Sequence, residues 1–398
     1  MKLRLQALTS AWLFGMALVA APLMAHAQSG DQPTSPVQGD ADHMSYGREA
    51  DNVQDQIKSY NNLLQKGENG LSVYQNTGGP RFATISAADQ VASMGAGINI
   101  IGGYDAYWDG GTTRFTDGDI QAVAAAGFKT IRVPLFAFKH IADGQGNLDP
   151  AYLKRIDHIV DLATANHLNI ILDEHNYEEC SKNVDDCGTL LSNVWYDLAL
   201  RYQTAPNNVI FELLNEPNGQ LDAAVWNGWL PDLIAQVRQF NPSRNIIVGP
   251  TMWNSIDQLD NLKLPADDHI IVTFHYYNPM LFTHQGASWA GDENMKARNV
   301  RWTGDAQQMA DLNAAFDKAA AWGKANNRPM FLGEYGTYGK FNDNMDDRVA
   351  WTRAVSKAAD SRGFARAYWY FEDDGGFGVY DKRTNAWVEP IKNALINP

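Results

Sequence analysis

From Gly97 onward, short apolar runs rich in β-branched and aromatic residues alternate with longer stretches of helical periodicity. The strand-like runs are Ile98 to Ile101, Thr130 to Leu135, Asn169 to Asp173, Val209 to Leu214, Ile246 to Gly249, Ile270 to His275, Met330 to Gly333 and Ala365 to Phe371. Amphipathic segments lie between most of them: Asp119 to Ala126, Ala151 to Asn166, Ser192 to Gln203, Ala223 to Phe240, Ala306 to Ala325 and Asp346 to Ser361. Gly127 and Gly363 sit where a helix must stop before the next strand. The fifth crossover is the weakest, with only a short segment near Ser255 to Asn261. Strands joined by crossover helices make a parallel sheet. Eight repeats in one unbroken series predict an α/β fold, a closed (β/α)8 TIM barrel forming a single domain over 97–398. An open doubly wound sheet would carry a glycine-rich phosphate turn after its first strand. Ile101-Gly102-Gly103-Tyr104-Asp105 lacks the third glycine and the helix start of that turn.

The barrel is preceded by segments of different character. Residues 1–27 have the pattern of a signal peptide: Lys2 and Arg4, an uncharged apolar run from Ala11 to Ala21, and an Ala25-His26-Ala27 cleavage site. The alternative is an uncleaved membrane anchor, against which Pro22 and the shortness of the run both argue. Residues 28–43 read as a flexible lead-in rich in Pro, Ser, Gly, Gln and Asp. Residues 44–96 read as an N-terminal extension packed on or leading into the barrel, partly helical from Ser45 to Leu64 and then rich in glycine turns.

Composition narrows the partners. The chain of 398 residues is 45% apolar and 20% charged, enough for a large core. Cleavage after Ala27 removes Lys2, Arg4 and no acid, taking the net charge from −14 to −16. Such a surface repels nucleic acid and anionic membranes and is indifferent to a neutral polymer. A secreted or periplasmic monomer, free of the membrane after signal cleavage, is therefore expected. The two cysteines, Cys180 and Cys187, lie close together in an expected loop, where an exported protein favours a disulfide. A metal pair is the alternative, but it lacks His and Cys companions.

Polar residues gather where the strands end, the face on which barrels of this kind carry chemistry. Val209-Ile-Phe-Glu-Leu-Leu-Asn-Glu-Pro217 is an apolar run closed by Pro217, leaving Glu216 at the sheet's mouth. Pro329-Met-Phe-Leu-Gly-Glu-Tyr-Gly336 does the same for Glu334. Paired carboxylates at two strand ends suit glycoside hydrolysis. Arg132, Asp173-Glu174-His175-Asn176, His275-Tyr276-Tyr277 and Trp369-Tyr370-Phe371-Glu372 occupy other strand ends. Each alone has a plain packing explanation: Asn-Glu-Pro a turn, Arg132 a buried ion-pair partner, His275 a core histidine, Trp369 core. Their recurrence at six strand ends is what packing does not explain.

The ordered set Ile131-Arg132-Val133-Pro134, Asp173-Glu174-His175-Asn176, Asn215-Glu216-Pro217, His275-Tyr276-Tyr277 and Gly333-Glu334-Tyr335-Gly336 resembles the signature of glycoside hydrolase family five. Phe282-Thr-His-Gln-Gly-Ala-Ser-Trp289 resembles a segment of its bacterial endo-β-1,4-glucanases. The likeness runs from about Gly97 to the C-terminus, and residues 28–96 fall outside it. It implies retaining double displacement on a β-glucan polysaccharide or oligosaccharide, with Glu334 as nucleophile, Glu216 as acid/base, and no cofactor or metal. It also implies substrate-binding roles. Arg132 and Tyr277 would serve Glu334, Asn215 the sugar 2-hydroxyl, His275 the acid/base, His175 the sugar hydroxyls, and Trp369 a stacked pyranose at subsite −1. Tyr335 stands where the family often has Phe.

Tyr107, Trp108, Trp253, Trp289 and Trp302 could line an open groove, or could simply pack. Asp373 or Asp374 could shape a distal subsite or be solvated loop acids. Three other readings stay open: a hydrolase of mannan, mixed-linkage glucan or xyloglucan; a non-catalytic carbohydrate-binding barrel; and a metal-dependent hydrolase using His175 and His275. The last lacks His-x-Glu-x-x-His spacing and a carboxylate-rich loop.

Overall fold

The computed structural model describes residues 73–74, 82–100, 115–142, 146–372 and 375–398. The expected signal peptide, the lead-in and most of the N-terminal extension lie outside the described residues, as do Tyr107, Trp108, Asp373 and Asp374. Eight parallel strands close into a barrel in sequence order: β1 (Ala96–Asn99), β2 (Thr130–Leu135), β3 (Asn169–Glu174), β4 (Val209–Glu212), β5 (Ile246–Val248), β6 (Ile270–His275), β7 (Met330–Glu334) and β8 (Ala365–Tyr368). Outer helices include Asp117–Ala125, Pro150–Ala165, Val184–Arg201, Ala223–Phe240, Ala306–Ala325 and Met345–Asp360. The sequence therefore predicts β2 and β6 to the residue, and the helices over 223–240 and 306–325 likewise.

The departures have physical causes. β4 stops at Glu212 rather than Leu214, because Leu213 to Asn215 must bend toward the turn that carries Glu216 at φ 44°. The fifth crossover carries a 3₁₀ helix of six residues, Ile256–Asn261, about two turns, anchored by buried Leu259. The cysteines do not lie in a loop. Cys180 belongs to the short helix Tyr177–Lys182 and Cys187 to Val184–Arg201, and Asn183 between them caps the second helix by accepting from Asp186 N–H. The two cysteines are joined as a disulfide.

The described part of the N-terminal extension contains helix α1, Ala87–Met94, which starts at Ser86 and stops at Gly95 with φ 48°. Its apolar face, Ala87, Val91 and Met94, forms one cluster with the inward Ile171, Ile210, Ile247, Ile271, Phe331, Ala365 and Ala367. α1 is thus the plug in the amino-terminal mouth of the barrel. Strand side chains hold its end: Thr130 Oγ1 donates to Met94 O (2.7 Å) and Asn169 Nδ2 to Ser93 O (3.0 Å). Above this apolar layer the inward positions turn polar, with Asn99, Arg132, Asp173 and Glu212 all buried. Period-two alternation explains it, since Ile171 and Asp173, or Ile210 and Glu212, share one face of their strand.

Met94 is fully buried in the plug, so Met94→Ala should lower stability by about 2–5 kcal/mol. The midpoint of denaturant unfolding measures this, and an unchanged midpoint would refute the plug assignment.

Candidate active site

Arg132, projecting from β2, organises the site. Its Nε and Nη2 grip Glu212 at 2.7 and 2.9 Å, a bidentate pair. Nη2 also reaches Asn215 Oδ1 (2.8 Å) and Asp173 Oδ2 (3.0 Å), while Nη1 reaches Asn99 Oδ1 (2.9 Å) and Glu334 Oε1 (3.0 Å). Tyr277 donates its hydroxyl to the other Glu334 oxygen at 2.9 Å. His275 Nδ1 lies 2.7 Å from Glu216 Oε1 and 3.6 Å from Glu334 Oε2. His175 Nδ1 pairs with Asp173 Oδ2 at 2.6 Å, and its ring stacks on Trp369 with centroids 5.7 Å apart. One connected network therefore joins Arg132, His175, Asn215, Glu216, His275, Tyr277, Glu334 and Trp369.

Aiming Glu334 inward takes a register shift. Phe274 pairs with Leu332 but His275 pairs with Glu334, so Gly333 is an extra residue in β7. Strict alternation would turn Glu334 outward, and the bulge turns it back toward the site. Only glycine fits: a Cβ at 333 would lie 2.6 Å from Thr273 Oγ1 and 3.0 Å from His275 Nε2.

Four carboxyls crowd around one guanidinium, and burial raises all of them. Burial pushes the Glu216 carboxyl up to about 8 against the pull of Arg132, with Glu212 adding to the rise. Glu334 is also raised by burial, but direct donation from Arg132 and Tyr277 favours its anion. Burial lifts Asp173 to about 7 and lowers His275 to about 4, so that ring is neutral. Tyr277, held well above its ordinary value by burial and then by Glu334, stays a proton donor.

An oxygen of Glu216, a nitrogen of His275 and an oxygen of Glu334 lie within 4.8 Å of one another. One oxygen of each glutamate therefore comes close enough for both to face a single glycosidic linkage. The same three donor atoms could also close on a divalent cation.

Of the other sequence candidates, Trp253 and Trp289 are 50% and 53% exposed, whereas Trp302 is 2% exposed and packs in the core. Sequence reasoning missed Glu212, Asn99 and Asn254, and placed Asp173 at a strand end without giving it a role. A charge in the apolar run Val209-Ile-Phe-Glu212 was a usable signal, as was Asp173 two residues before His175. Asn254, whose Nδ2 is 3.2 Å from His275 Nε2, gave none.

Residues 91–375 match the family model described as Cellulase (glycosyl hydrolase family 5). Endoglucanase H of Acetivibrio thermocellus is 29% identical over 326 residues, covering 79% of this chain, which spans 34% of that protein's length. Cellodextrinase A of Ruminococcus flavefaciens is 26% identical over 68% of this chain and 83% of its own. Among solved structures, a hyperthermophilic endo-β-1,4-glucanase in complex with substrate superposes with TM-score 0.74 at 34% identity, over 79% of this chain and all of that one. Thermotoga maritima Cel5A in complex with mannotriose does so with TM-score 0.73 at 31% identity, over 78% of this chain and 100% of that chain.

The raised carboxyls fix a sign for stability against pH. Between about 4.5 and about 8 the unfolded chain has released the Glu216 proton while the folded chain keeps it, so stability falls as pH rises through that window. Glu216→Gln cannot ionise. Its unfolding free energy should match wild type near pH 4 and exceed it above pH 8 by up to about 5 kcal/mol. Denaturant titrations across pH check this, and a variant no more stable than wild type at alkaline pH contradicts it.

Proposed function

This chain belongs to the cellulase family, glycosyl hydrolase family 5, and within it we propose retaining, endo-acting hydrolysis of β-1,4-glucosidic bonds in cellulose or a soluble β-glucan. The observation that carries the reading is the approach of one Glu216 oxygen and one Glu334 oxygen to within 4.8 Å, each carboxyl with different partners. Glu334, in contact with Arg132 and Tyr277, attacks the anomeric carbon as the bond to the leaving oxygen breaks. Glu216, kept protonated by burial, gives that oxygen its proton. With Glu334 neutralised as an ester, Glu216 loses a repelling neighbour's charge and stands ionised; it takes a proton from water as the water oxygen bonds to the anomeric carbon and the ester bond to Glu334 breaks, which releases the sugar. In this reading Asn215 serves the sugar 2-hydroxyl, His175 neighbouring hydroxyls, and Trp369 the ring face. Exposed Trp253 and Trp289 suit a groove that holds an extended chain, which favours internal cleavage. Export is part of the same proposal, supported by the leader pattern of residues 1–27 and by the Cys180–Cys187 disulfide.

A second reading, β-mannan hydrolysis, has one specific support: the similar Thermotoga maritima Cel5A was solved with mannotriose. Glucose and mannose differ only in the C2 hydroxyl, so rates on matched β-1,4-gluco- and manno-oligosaccharides separate the two, and products from a soluble glucan show whether cleavage is internal.

Glu334→Gln should lose at least roughly 10³-fold in turnover while still binding oligosaccharide, and activity within about tenfold of wild type would overturn the nucleophile assignment. NMR of the first product should show the β-anomer. Turnover should fall above about pH 8, where Glu216 gives up its proton. Undiminished rates in excess chelator are expected, since an essential cation on Glu216, His275 and Glu334 would instead abolish them.

A further inference from the structure

The loop after β5 makes three successive left-handed residues, Met252, Trp253 and Asn254, with φ of 56°, 59° and 54°. Residues with a Cβ adopt this conformation at an energetic cost, and such runs persist only where the surroundings hold them. Two contacts hold this one. Trp253 N–H donates to Pro217 O at 3.4 Å, tying the loop to the turn that carries Glu216. Asn254, fully buried, lays its Oδ1 where a Cβ on Gly249 would come within 2.0 Å of it. That glycine is the notch that admits the amide beneath His275.

A neutral imidazole carries one ring proton, and its position decides what the ring can do. The Nδ1 edge of His275 faces Glu216 and Glu334, so a proton there is stabilised by both carboxyls. Nε2 is then a lone pair and requires a donor, which the Asn254 amide nitrogen at 3.2 Å supplies. Arg132, Glu212 and His175 also act on the ring, and burial keeps it uncharged.

We propose that Asn254 is a positioning residue that holds His275 as the Nδ1–H tautomer, so that His275 donates to Glu216 Oε1 and leaves the acid proton on Oε2. The inference rests on Glu216 being the acid/base. In the first step the Oε2 proton passes to the glycosidic oxygen, the C–O electron pair leaves with that oxygen, and Glu334 bonds to the anomeric carbon. The Glu216 anion that remains still accepts from His275 Nδ1–H. With the opposite tautomer, the bare Nδ1 would accept the Glu216 proton and compete with the leaving group for it.

The test is the nitrogen NMR spectrum of His275 together with the leaving-group dependence of hydrolysis. Wild type should show a protonated Nδ1 and an unprotonated Nε2. Asn254→Asp replaces the donor with an acceptor and should move the ring proton to Nε2. It should slow cleavage of a β-1,4-oligosaccharide roughly 10- to 100-fold, yet spare an activated aryl β-glycoside whose leaving group needs no proton. A wild-type His275 protonated at Nε2 overturns the proposal. So does an Asn254→Asp variant that loses both substrates alike, or neither. Should that variant not fold, the wild-type spectrum decides alone. The tautomer is read without turnover, so its failure is distinct from a failure of the acid/base reading. That reading fails instead if Glu216→Gln retains oligosaccharide cleavage.

Discussion

The charge on Arg132 is fully buried, and no arrangement of the barrel interior is stable unless that charge is answered there. Desolvating a guanidinium costs several kcal/mol even after relaxation, and removing one partner of a buried ion pair typically costs about 3–5 kcal/mol. The answering groups come from Asp173 on β3, Glu212 on β4 and Glu334 on β7, with Asn99 on β1 and Asn215 beyond β4 taking remaining N–H directions. A planar fork with fixed donor directions thereby ties five segments of the wall to a common register. The apolar layer sealed by α1 keeps water from reaching this cluster from below.

From the same charge count follows the inequality of the two glutamates. One guanidinium faces four carboxyls, and bidentate Glu212 takes its best geometry. Ionising every acid would leave a net negative, poorly solvated cavity, so some proton must be retained. Glu334 has two direct donors in Arg132 and Tyr277, whereas the ring paired with Glu216 is neutral. The proton is therefore cheapest to keep on Glu216. Two residues of identical chemistry acquire different protonation through their neighbours.

What was legible in the sequence, and what was not, divides along the same physical lines. β-branched runs and 3.6-residue periodicity located the barrel strands and helices, and polar strand ends located residues that gather around Arg132, because both signals are local. Glu212 was passed over because a charged residue inside an apolar run reads as an imperfection until its inward direction is known. α1 escaped because Ala87, Val91 and Met94 are ordinary spacing for any surface helix, and only the closed barrel supplies the apolar mouth they fill. Asn254 depends on a left-handed run at Met252 and Trp253, residues with no turn propensity that would announce it. Tertiary contacts set these features, and no window of sequence contains them.

Gly333 shows how far such non-local demands reach into one residue. By alternation β7 would present Phe331 and residue 333 to the barrel and turn 334 toward the helices. The extra residue reverses that, so the carboxylate of Glu334 joins Arg132 instead of the outer core. The bulge alone would not suffice, because the space beside residue 333 is taken by the His275 ring, which meets both Glu216 and Asn254. A side chain at 333 would push on Nε2, the atom that Asn254 engages, and on Thr273 beneath it. The direction of Glu334, the placement of His275 and the hydrogen bond to Glu216 thus share a single steric condition. Neither glutamate could be set correctly on its own strand without the other strand's histidine having room to turn.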